Sequence, residues 1–254
     1  MSRPLAGRTA LVTGGGGPGM GSAHCHALAS AGAHVIVQDV RQAEADAVVG
    51  SLRASGGKAE SMIGDIADLD RFLPRVRERL TGRGVIDIVV HHAGISGRNT
   101  PFESIDAAFF DRMFAVHVRA TFFLTQLLVP AMKAQRWGRI VLIASDFALA
   151  GSPAASHYTA AKAALLGLTK AWAKEFAPWQ ICVNAVAPTL MRSELTLASV
   201  GPAFIEAEAA KAPMGRLPTP EEVAAVVAFL ASPAASAVTG QTISPGAGRT
   251  IVGG

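Results

Sequence analysis

The stretch Thr-Ala-Leu-Val-Thr-Gly-Gly-Gly-Gly-Pro-Gly-Met-Gly, residues 9–21, joins an apolar run of strand length to a glycine-rich turn. The turn contains Gly14-x-Gly16-x-x-Gly19, and Gly21 opens a run with helical apolar spacing. Glycines let the backbone approach a pyrophosphate, and the amino end of the following helix supplies unpaired N–H groups and positive potential. The stretch therefore predicts a strand, a turn and a helix that bind a dinucleotide within an α/β fold.

An acidic residue follows at the end of the second predicted strand. Asp39 can accept hydrogen bonds from the adenosine ribose hydroxyls, as an acid about 20 residues beyond such a turn does. The same carboxylate would repel a 2'-phosphate, so we expect NAD(H) rather than NADP(H), although Arg41 offers a phosphate partner nearby. Helix capping before Arg41 is the alternative role for Asp39. Asp65 has the same alternative, as a cap for the helix that begins near Asp68.

The rest of the chain repeats this alternation of strands and helices. Strands are predicted at residues 9–13, 34–39, 59–63, 86–91, 139–144, 181–186 and 241–244, and helices at 21–31, 43–55, 69–80, 106–134, 156–176 and 220–231. The pattern predicts a single α/β domain over residues 1–254: a Rossmann-type, doubly wound parallel sheet of about seven strands with helices on both faces. Residues 189–215 interrupt the alternation and predict a short helical lid over a substrate.

A second group of residues indicates hydride transfer. Tyr158 and Lys162 lie one helical turn apart and so share a helix face. An ammonium about 4 Å from a phenol favours the phenolate by roughly 4 kcal/mol, or about three pKa units, at an effective dielectric near 20. Ser145 follows a predicted strand, where parallel sheets bind ligands, and can hold a substrate oxygen while Tyr158 gives or takes its proton. The residues between this serine and the helix are predicted to form a loop.

Composition limits the partners and the location. The net charge is +4 and the pI is near 9.4, but the arginines are dispersed and few aromatics accompany them, so we expect no nucleic-acid binding. No apolar signal segment opens the chain, and the longest weakly polar stretch, residues 120–132, is too short to span a bilayer. We therefore expect no membrane contact and a cytoplasmic location. Cys25 and Cys182 are predicted to be small buried hydrophobes in a reducing compartment.

Three histidines, His91, His92 and His117, stand at strand ends or within an apolar helix, and a structural role is the prediction for each. A pairing of His92 with His117 lacks a third ligand at suitable spacing. No metal is predicted.

Taken together, these residues resemble the short-chain dehydrogenase/reductase family from Arg8 to about Gly248. Ser145, Tyr158 and Lys162 match the family's catalytic serine, tyrosine and lysine in type and spacing. Other matching segments are Thr13 to Gly21, Gly64-Asp65-Ile66, His92-Ala93-Gly94, Asn184 to Pro188, Pro220 to Val223 and Gly240-Gln241. The resemblance implies that the cofactor is bound by Gly14, Gly19, Met20, Gly21, Asp39, Asp65, Ile66, His92, Ala93, Gly94, Tyr158, Lys162, Pro188 and Met191.

The chain departs from the family pattern in four places. The coenzyme loop has one extra residue, and the sequence leaves open which of Gly15 to Pro18 is the insertion. His92 replaces the asparagine of Asn-Ala-Gly. His117 replaces an asparagine whose backbone carbonyl helps to hold a water that leads protons to the lysine. A backbone role survives the change, and the imidazole can perturb or join the relay, so His117 is included among the candidate catalytic residues. Residues 245–248, Pro-Gly-Ala-Gly, replace the usual Asp-Gly-Gly.

The predicted reaction is hydride transfer between NAD(H) and a secondary alcohol or ketone, with a medium-sized hydrophobic substrate as the first choice. The expected pocket is mostly apolar, with polarity available from Asp146 and Arg98. Its candidate residues are Ile95, Gly97, Phe147, Leu149, Pro153, Leu190, Leu195 and Leu197. A 3-oxoacyl thioester is the alternative substrate, against which Asp39 weighs because biosynthetic reductases of the family generally prefer NADPH. The alternative from another class is a non-catalytic NAD-binding scaffold or redox sensor, suggested by His92 and His117.

The resemblance also implies a homotetramer that packs helices 106–134 and 156–176. The sequence is compatible, because apolar residues cover more of the first helix than one buried stripe needs. These residues are Phe109, Phe110, Phe114, Phe122, Phe123, Leu127 and Leu128.

Overall fold

The computed structural model describes residues 3–97 and 99–251, and it places seven parallel strands in one sheet. In chain order the strands are β1 (Thr9–Thr13), β2 (His34–Asp39), β3 (Lys58–Ile63), β4 (Ile88–His91), β5 (Gly138–Ile143), β6 (Ile181–Val186) and β7 (Thr242–Ile243). Their order across the sheet is β3-β2-β1-β4-β5-β6-β7. The predicted doubly wound parallel sheet is confirmed, with β4 and β7 shorter than the sequence pattern suggested.

Helices connect the strands. They are α1 (Met20–Ser30), α2 (Gln42–Ala54), α3 (Leu69–Arg83), α4 (Ala107–Phe114), α5 (Ala120–Ala134), α6 (Phe147–Ala150), α7 (Ser156–Phe176), α8 (Glu194–Val200), α9 (Pro202–Ala210) and α10 (Pro220–Ala231). Short 3-10 turns occur at Phe102–Ser104, Ala177–Trp179 and Pro233–Ala235.

The hydrophobic core is divided between the two faces of the sheet. Successive residues of a strand point to opposite faces, so Ala10 and Val12 of β1 join one apolar cluster while Leu11 between them joins the other. The first cluster packs against α1, α2 and α10, and the second against α3, α5 and α7. Every residue of β5 and β6 is buried, as expected for central strands covered on both sides.

A crevice opens where the chain changes direction across the sheet. After β3 at one edge, the chain returns to place β4 beside β1. Open α/β sheets bind ligands at the carboxyl ends of the strands that flank such a switch point. The glycine-rich turn after β1 and the segment after β4 therefore face the same crevice.

Helices α4 and α5 form one continuous helix through a π-helical turn at Ala115–Arg119. The combined helix, residues 107–134, contains a stretch that is long and apolar enough to cross a membrane by length and composition. The estimate of residues 120–132 as the longest weakly polar stretch is therefore wrong in length. Half of this helical stretch is buried inside the protein, where Leu124, Leu128 and Met132 join the core.

The segment predicted to be a helical lid, residues 189–215, holds two helices, α8 and α9. Its closing over a substrate stays a prediction. The two cysteines are buried and unpaired with each other, as predicted for small core residues: Cys25 lies in the first apolar cluster, and Cys182 Sγ contacts the Ser236 carbonyl at 3.5 Å. Burial raises the pKa of both thiols.

Candidate active site

A cavity of about 540 Å³ occupies the crevice beyond β1 and β4. It contains most of the predicted cofactor residues, namely Gly14, Gly19, Met20, Gly21, Asp39, Asp65, Ile66, His92, Ala93, Gly94 and Met191. The other predicted residues, Tyr158, Lys162 and Pro188, lie outside that lining. Sequence patterns did not single out Gln38, Arg112, Ser193 and Thr196, which also line it.

The glycine-rich turn has the properties of a phosphate cradle. Gly19 precedes α1 and makes no side-chain capping bond, so the first N–H groups of that helix remain available to an anion. A Cβ on Gly14 would lie 2.8 Å from Ala93 Cα, and one on Gly21 would overlap the Gly14 carbonyl oxygen. A side chain at either position would force the turn out of this conformation. The residues present therefore fit a dinucleotide.

The first residues of the turn after Gly14 pack against β2 and α2. The Gly15 N–H donates to the Gln38 carbonyl at 2.9 Å, and the Gly16 N–H donates to Asp39 Oδ2 at 3.1 Å. A Cβ on Gly16 would lie 2.8 Å from the Ala45 backbone nitrogen, which leaves room only for glycine. The turn is thus joined to the acid that ends β2.

Asp39 is buried, with 5 % of its surface exposed, and both carboxylate oxygens accept backbone hydrogen bonds. Oδ2 accepts from Gly16, and Oδ1 accepts from the Arg41 N–H at 3.1 Å. The Arg41 guanidinium lies 3.6 Å from Oδ1 and lines the cleft. Arg41 itself is the cap residue of α2, so the alternative role of Asp39 as that cap is not what the structure shows.

Two side chains that sequence reasoning missed hold the loops around the cleft. The Gln38 amide accepts from the Gly14 N–H at 3.2 Å and donates to the Gly64 carbonyl at 2.7 Å. The Thr13 hydroxyl accepts from the N–H groups of His92 and Ala93, at 3.0 and 3.1 Å. Both residues are polar at the buried ends of strands, and that local signal was available in the sequence.

Asp65 contacts a residue far away in the chain. Its Oδ2 accepts from Arg112 of α4 at 2.8 Å, and its Oδ1 accepts from the Ala67 N–H at 2.9 Å. Asp68, not Asp65, caps α3 by accepting from the Arg71 N–H. The alternative role of Asp65 as that cap is therefore wrong, and Asp65 and Arg112 together border the cleft.

Tyr158 and Lys162 lie on one face of α7, as their spacing predicted. The Lys162 Nζ lies 5.7 Å from the centre of the Tyr158 ring and donates to the Ile143 carbonyl at 2.7 Å. A protonated amine in this position favours the charged phenolate over the neutral phenol.

The charge on Lys162 is itself weakened. The residue is 4 % exposed, and burial lowers the pKa of its amine to about 7. The amine is then about half protonated at neutral pH. The positive charge that Lys162 presents to Tyr158 is therefore smaller than that of a fixed cation.

Ser145 follows β5 and faces the start of a short helix. Its hydroxyl donates to Asp146 Oδ1 at 3.0 Å and accepts from the Phe147 N–H at 3.2 Å. The Phe147 ring meets the Tyr158 ring edge-on, with centres 6.1 Å apart. Phe147 therefore contacts both residues, Ser145 through its backbone N–H and Tyr158 through its ring. The loop predicted after Ser145 is wrong in part, because Asp146 caps the helix α6 there.

His117 lies in the π-helical turn and contacts both the Ile95 backbone and the Tyr158 ring. Its Nε2 lies 3.1 Å from the Ile95 nitrogen and 3.0 Å from the Ile95 carbonyl oxygen, so it serves one of them according to its tautomer. Its ring meets Tyr158 edge-on at 5.6 Å. Burial, and then Lys162, lower the pKa of His117 to about 3. The imidazole is neutral at physiological pH and holds the Ile95 segment.

The other two histidines are also neutral. The His91 ring lies 2.8 Å from the Thr125 hydroxyl, and burial lowers its pKa to about 3. His92 lines the cleft and meets the His24 ring at 5.3 Å, and burial followed by Lys162 lowers its pKa to about 4. Within residues 3–97 and 99–251, no group of three or more His, Cys, Asp or Glu is placed to hold a metal ion.

The residues predicted for the substrate pocket are dispersed. Phe147 lies beside Tyr158, Leu149 and Leu190 are half-buried, and Pro153 is exposed. Leu197 lines a different cavity, of about 900 Å³, between α1, α8 and α10. Arg98 and the side chain of Leu195 lie outside the described residues.

Comparison with known proteins supports one family. The family model described as enoyl-(acyl carrier protein) reductase matches residues 16–250. A 3-oxoacyl-[acyl-carrier-protein] reductase, FabG, from Thermotoga maritima is 35 % identical over 97 % of this chain and 99 % of its own length. The chain belongs to the short-chain dehydrogenase/reductase family. This short-chain dehydrogenase/reductase is accordingly an oxidoreductase, and the predicted family is confirmed.

Solved structures share its architecture. A putative NAD(P)-dependent gluconate 5-dehydrogenase from Beutenbergia cavernae, with bound NADP at low occupancy, is 37 % identical with a TM-score of 0.90. The match covers 98 % of this chain and 99 % of that one. A gluconate 5-dehydrogenase from Burkholderia cenocepacia, in complex with NADP and tartrate, is 30 % identical with a TM-score of 0.89, covering 97 % and 96 %.

Proposed function

We propose that this short-chain dehydrogenase/reductase transfers a hydride between NAD(H) and a secondary alcohol or ketone of medium size and largely apolar surface. The observation that carries the proposal is the grouping of Ser145, Tyr158 and Lys162. The His117 ring connects this group to the cleft, because it contacts both Tyr158 and Ile95. Phe147 links the serine to the tyrosine, and the Lys162 amine lies 5.7 Å from the Tyr158 ring. Four of the candidate pocket residues, Ile95, Phe147, Leu149 and Leu190, are half-buried apolar side chains.

The mechanism assigns one task to each side chain. When bound, the cofactor supplies the hydride acceptor or donor. In oxidation Tyr158 takes the alcohol proton, and Lys162 stabilises the phenolate by its charge while it is protonated. Ser145 holds the reacting oxygen by a hydrogen bond, which strengthens as that oxygen changes charge. In reduction Tyr158 returns the proton. His117 fixes the Ile95 segment through its ring nitrogen.

The test is Tyr158→Phe. Tyr158 is the only tyrosine in the chain, so no second phenol can replace it. We expect kcat to fall by at least 100-fold, within the range assigned to general acid–base catalysis, while the Kd for NADH stays within about twofold. Phe147→Leu, which changes a ring next to Tyr158 without removing a proton carrier, is the matched control. Full activity of Tyr158→Phe would refute the assignment.

The preference for NAD(H) is part of the same proposal. Asp39 is held at the end of β2 by hydrogen bonds from two backbone N–H groups. The exposed Arg41 and the NADP-bound neighbours make the comparison with NADP(H) necessary. We expect a higher kcat/KM with NAD than with NADP, and we expect Arg41→Ala to lower the use of NADP more than that of NAD. A clear NADP preference would remove Asp39 from its role.

A 3-oxoacyl thioester is the alternative substrate, and the similarity to the Thermotoga maritima reductase favours it. The structural neighbours named as gluconate 5-dehydrogenases favour a hydroxy acid instead. A screen of secondary alcohols, ketones, hydroxy acids and a 3-oxoacyl thioester, with both cofactors, separates these classes. Steady NADH formation with any alcohol would exclude a non-catalytic scaffold or redox sensor.

We also propose assembly into a homotetramer in the cytoplasm, with neither nucleic acid nor membrane as a partner. Phe110, Phe122 and Phe123 are 42, 39 and 37 % exposed on α4 and α5. Phe122 borders a groove of about 370 Å³ between α5 and α7, where Trp172 and Phe176 also lie. Leu128, which was predicted to add to this surface, is buried in the core. Light scattering that shows a monomer at micromolar concentration would overturn the assembly.

A further inference from the structure

The hydroxyl proton of Ser145 already has an acceptor inside the protein. Ser145 donates to Asp146 Oδ1 at 3.0 Å and accepts from the Phe147 N–H at 3.2 Å. A serine hydroxyl has one proton and two lone pairs. In this arrangement Ser145 offers a lone pair, and no proton, to any further group that approaches it.

The proposed reaction needs that proton. In oxidation the alcohol gives its only proton to Tyr158, so its oxygen can bind Ser145 only as an acceptor. In reduction the carbonyl oxygen likewise accepts. Ser145 must therefore release Asp146 before it can stabilise the reacting oxygen. A hydrogen bond to a charged group is worth about 1.5–3 kcal/mol, so the need to break it would slow the reaction roughly 10- to 150-fold.

Asp146 is not free to move away from Ser145. Its Oδ1 also accepts from the Phe147 N–H at 2.9 Å and so caps α6. Its own backbone N–H donates to the Pro188 carbonyl at 3.0 Å. The capping bond holds the carboxylate and the Pro188 bond holds the backbone, so Ser145 is most readily released when another donor takes its place at Oδ1.

We propose that the substrate supplies this donor through a hydroxyl on the carbon next to the reacting carbon. That hydroxyl donates to Asp146, and the Ser145 proton turns to the reacting oxygen. In a gauche vicinal diol the two oxygens are separated by about the length of a hydrogen bond, which is the separation of Ser145 Oγ and Asp146 Oδ1. The substrate class is thus a vicinal diol, or in reverse an α-hydroxy ketone, with an otherwise apolar body.

This inference rests on the proposed hydride transfer and narrows its substrate. The reacting carbinol loses a hydride to NAD and a proton to Tyr158, and its C–O bond becomes a carbonyl. The neighbouring hydroxyl is unchanged, and Asp146 and Ser145 neither gain nor lose a proton overall. A 3-oxoacyl thioester has no such hydroxyl, so the inference also opposes that alternative.

The experiment compares cyclohexanol, cis-cyclohexane-1,2-diol and cis-2-methylcyclohexanol as substrates with NAD. The methyl compound matches the diol in size but has no donor. For the wild type we expect a kcat/KM that is ten- to 100-fold higher for the diol than for either mono-alcohol, from one hydrogen bond to a charged acceptor. For Asp146→Ala we expect the preference to disappear, because the mono-alcohols improve while the diol loses its acceptor.

Two further variants separate this effect from damage to the fold. Asp146→Asn keeps an oxygen that caps α6 without the charge, and it should show an intermediate preference. Asp106→Ala removes the capping aspartate of α4, which accepts from the Phe109 N–H at 2.7 Å, and it should keep the wild-type preference. A parallel loss of activity on all three alcohols in Asp146→Asn would mean a structural role and would overturn the inference.

Binding of the same compounds to the enzyme–NADH complex, measured by calorimetry, gives a readout that does not need turnover. The diol should bind more tightly than the mono-alcohols to the wild type, and equally to Asp146→Ala. Equal binding, or equal kcat/KM, for diol and methyl compound in the wild type would overturn the inference and leave hydride transfer standing. Diol-selective binding with no NADH formed from any alcohol would instead refute the proposed function.

Discussion

Replacing Lys162 by methionine is expected to stabilise the protein while it abolishes turnover. The amine is buried, and its pKa falls from 10.5 to about 7 because burial disfavours the charged form. Each pKa unit is worth about 1.4 kcal/mol, so this lowering corresponds to about 5 kcal/mol of lost stability at low pH. Methionine keeps the volume of the side chain and removes the charge.

The gain is offset by one lost hydrogen bond. Lys162 Nζ donates to the Ile143 carbonyl at 2.7 Å, and leaving a buried carbonyl unsatisfied costs about 1–3 kcal/mol. The net gain of about 2–4 kcal/mol at pH 6 should raise the Tm by roughly 5–15 °C for a chain of this length. Thermal melts of the apo protein at several pH values, with the solvent-exposed Lys170→Met as control, measure it.

The dependence on pH distinguishes this effect from a change in packing. Between pH 7 and 10.5 the unfolded chain binds more protons at Lys162 than the folded protein does, so wild-type stability rises with pH over that range. The variant has no such dependence, and the difference in Tm should shrink towards zero near pH 9.5. A variant that is less stable than the wild type at pH 6, by an amount that does not change with pH, would refute the reasoning.

Two other outcomes test the site. The Tyr158 and Lys162 pair must lose a proton to act as a base. For alcohol oxidation kcat/KM should therefore rise about tenfold per pH unit below pH 7 and become constant above the lowered pKa of Lys162. A flat profile from pH 5.5 to 8.5 would contradict this. Gly94→Ala should lower kcat at least tenfold, because its Cβ would overlap the His117 ring. The double variant with His117→Ala should recover part of that loss, whereas Gly50→Ala, which faces open space, should have no effect.

The fold was largely predictable because its signals are local. The strands alternate with helices, and the run at residues 9–21 contains its own turn chemistry, so β1, α1 and the crevice between them follow from short stretches of sequence. Helix α7 agrees with its predicted bounds, and the shared face of Tyr158 and Lys162 follows from helical geometry alone.

What the sequence did not reveal depends on contacts between distant segments. The bond from Gly16 to Asp39 and the pair of Asp65 with Arg112 require the strand order and the docking of α4, neither of which a local pattern defines. The burial of Lys162 is also a tertiary property, since it depends on how closely β5 lies beneath α7. For that reason helical spacing predicted the position of the Lys162 amine correctly, but the assumption of a full positive charge near neutral pH was too high.

His117 shows the same limit in another form. Its place in the chain suggested a departure from the family's proton relay, but only the structure shows a neutral ring beside the Ile95 backbone. The short helix α6 was missed because four residues carry too little periodicity to distinguish a helix from a loop.

The hydrogen bond between Gly16 and Asp39 has a consequence for attempts to re-engineer nucleotide choice. An exchange of that acid for a small neutral residue, intended to admit a phosphate, would strand a buried N–H at a cost of about 1–3 kcal/mol. The same exchange would release Gly16 from its hydrogen bond to the end of β2, and with it the turn proposed to bind the pyrophosphate. A substitution at Asp39 that changes the choice of nucleotide is therefore expected to change the affinity for the nucleotide as well. A successful redesign would have to shorten the turn and replace the acid in a single step.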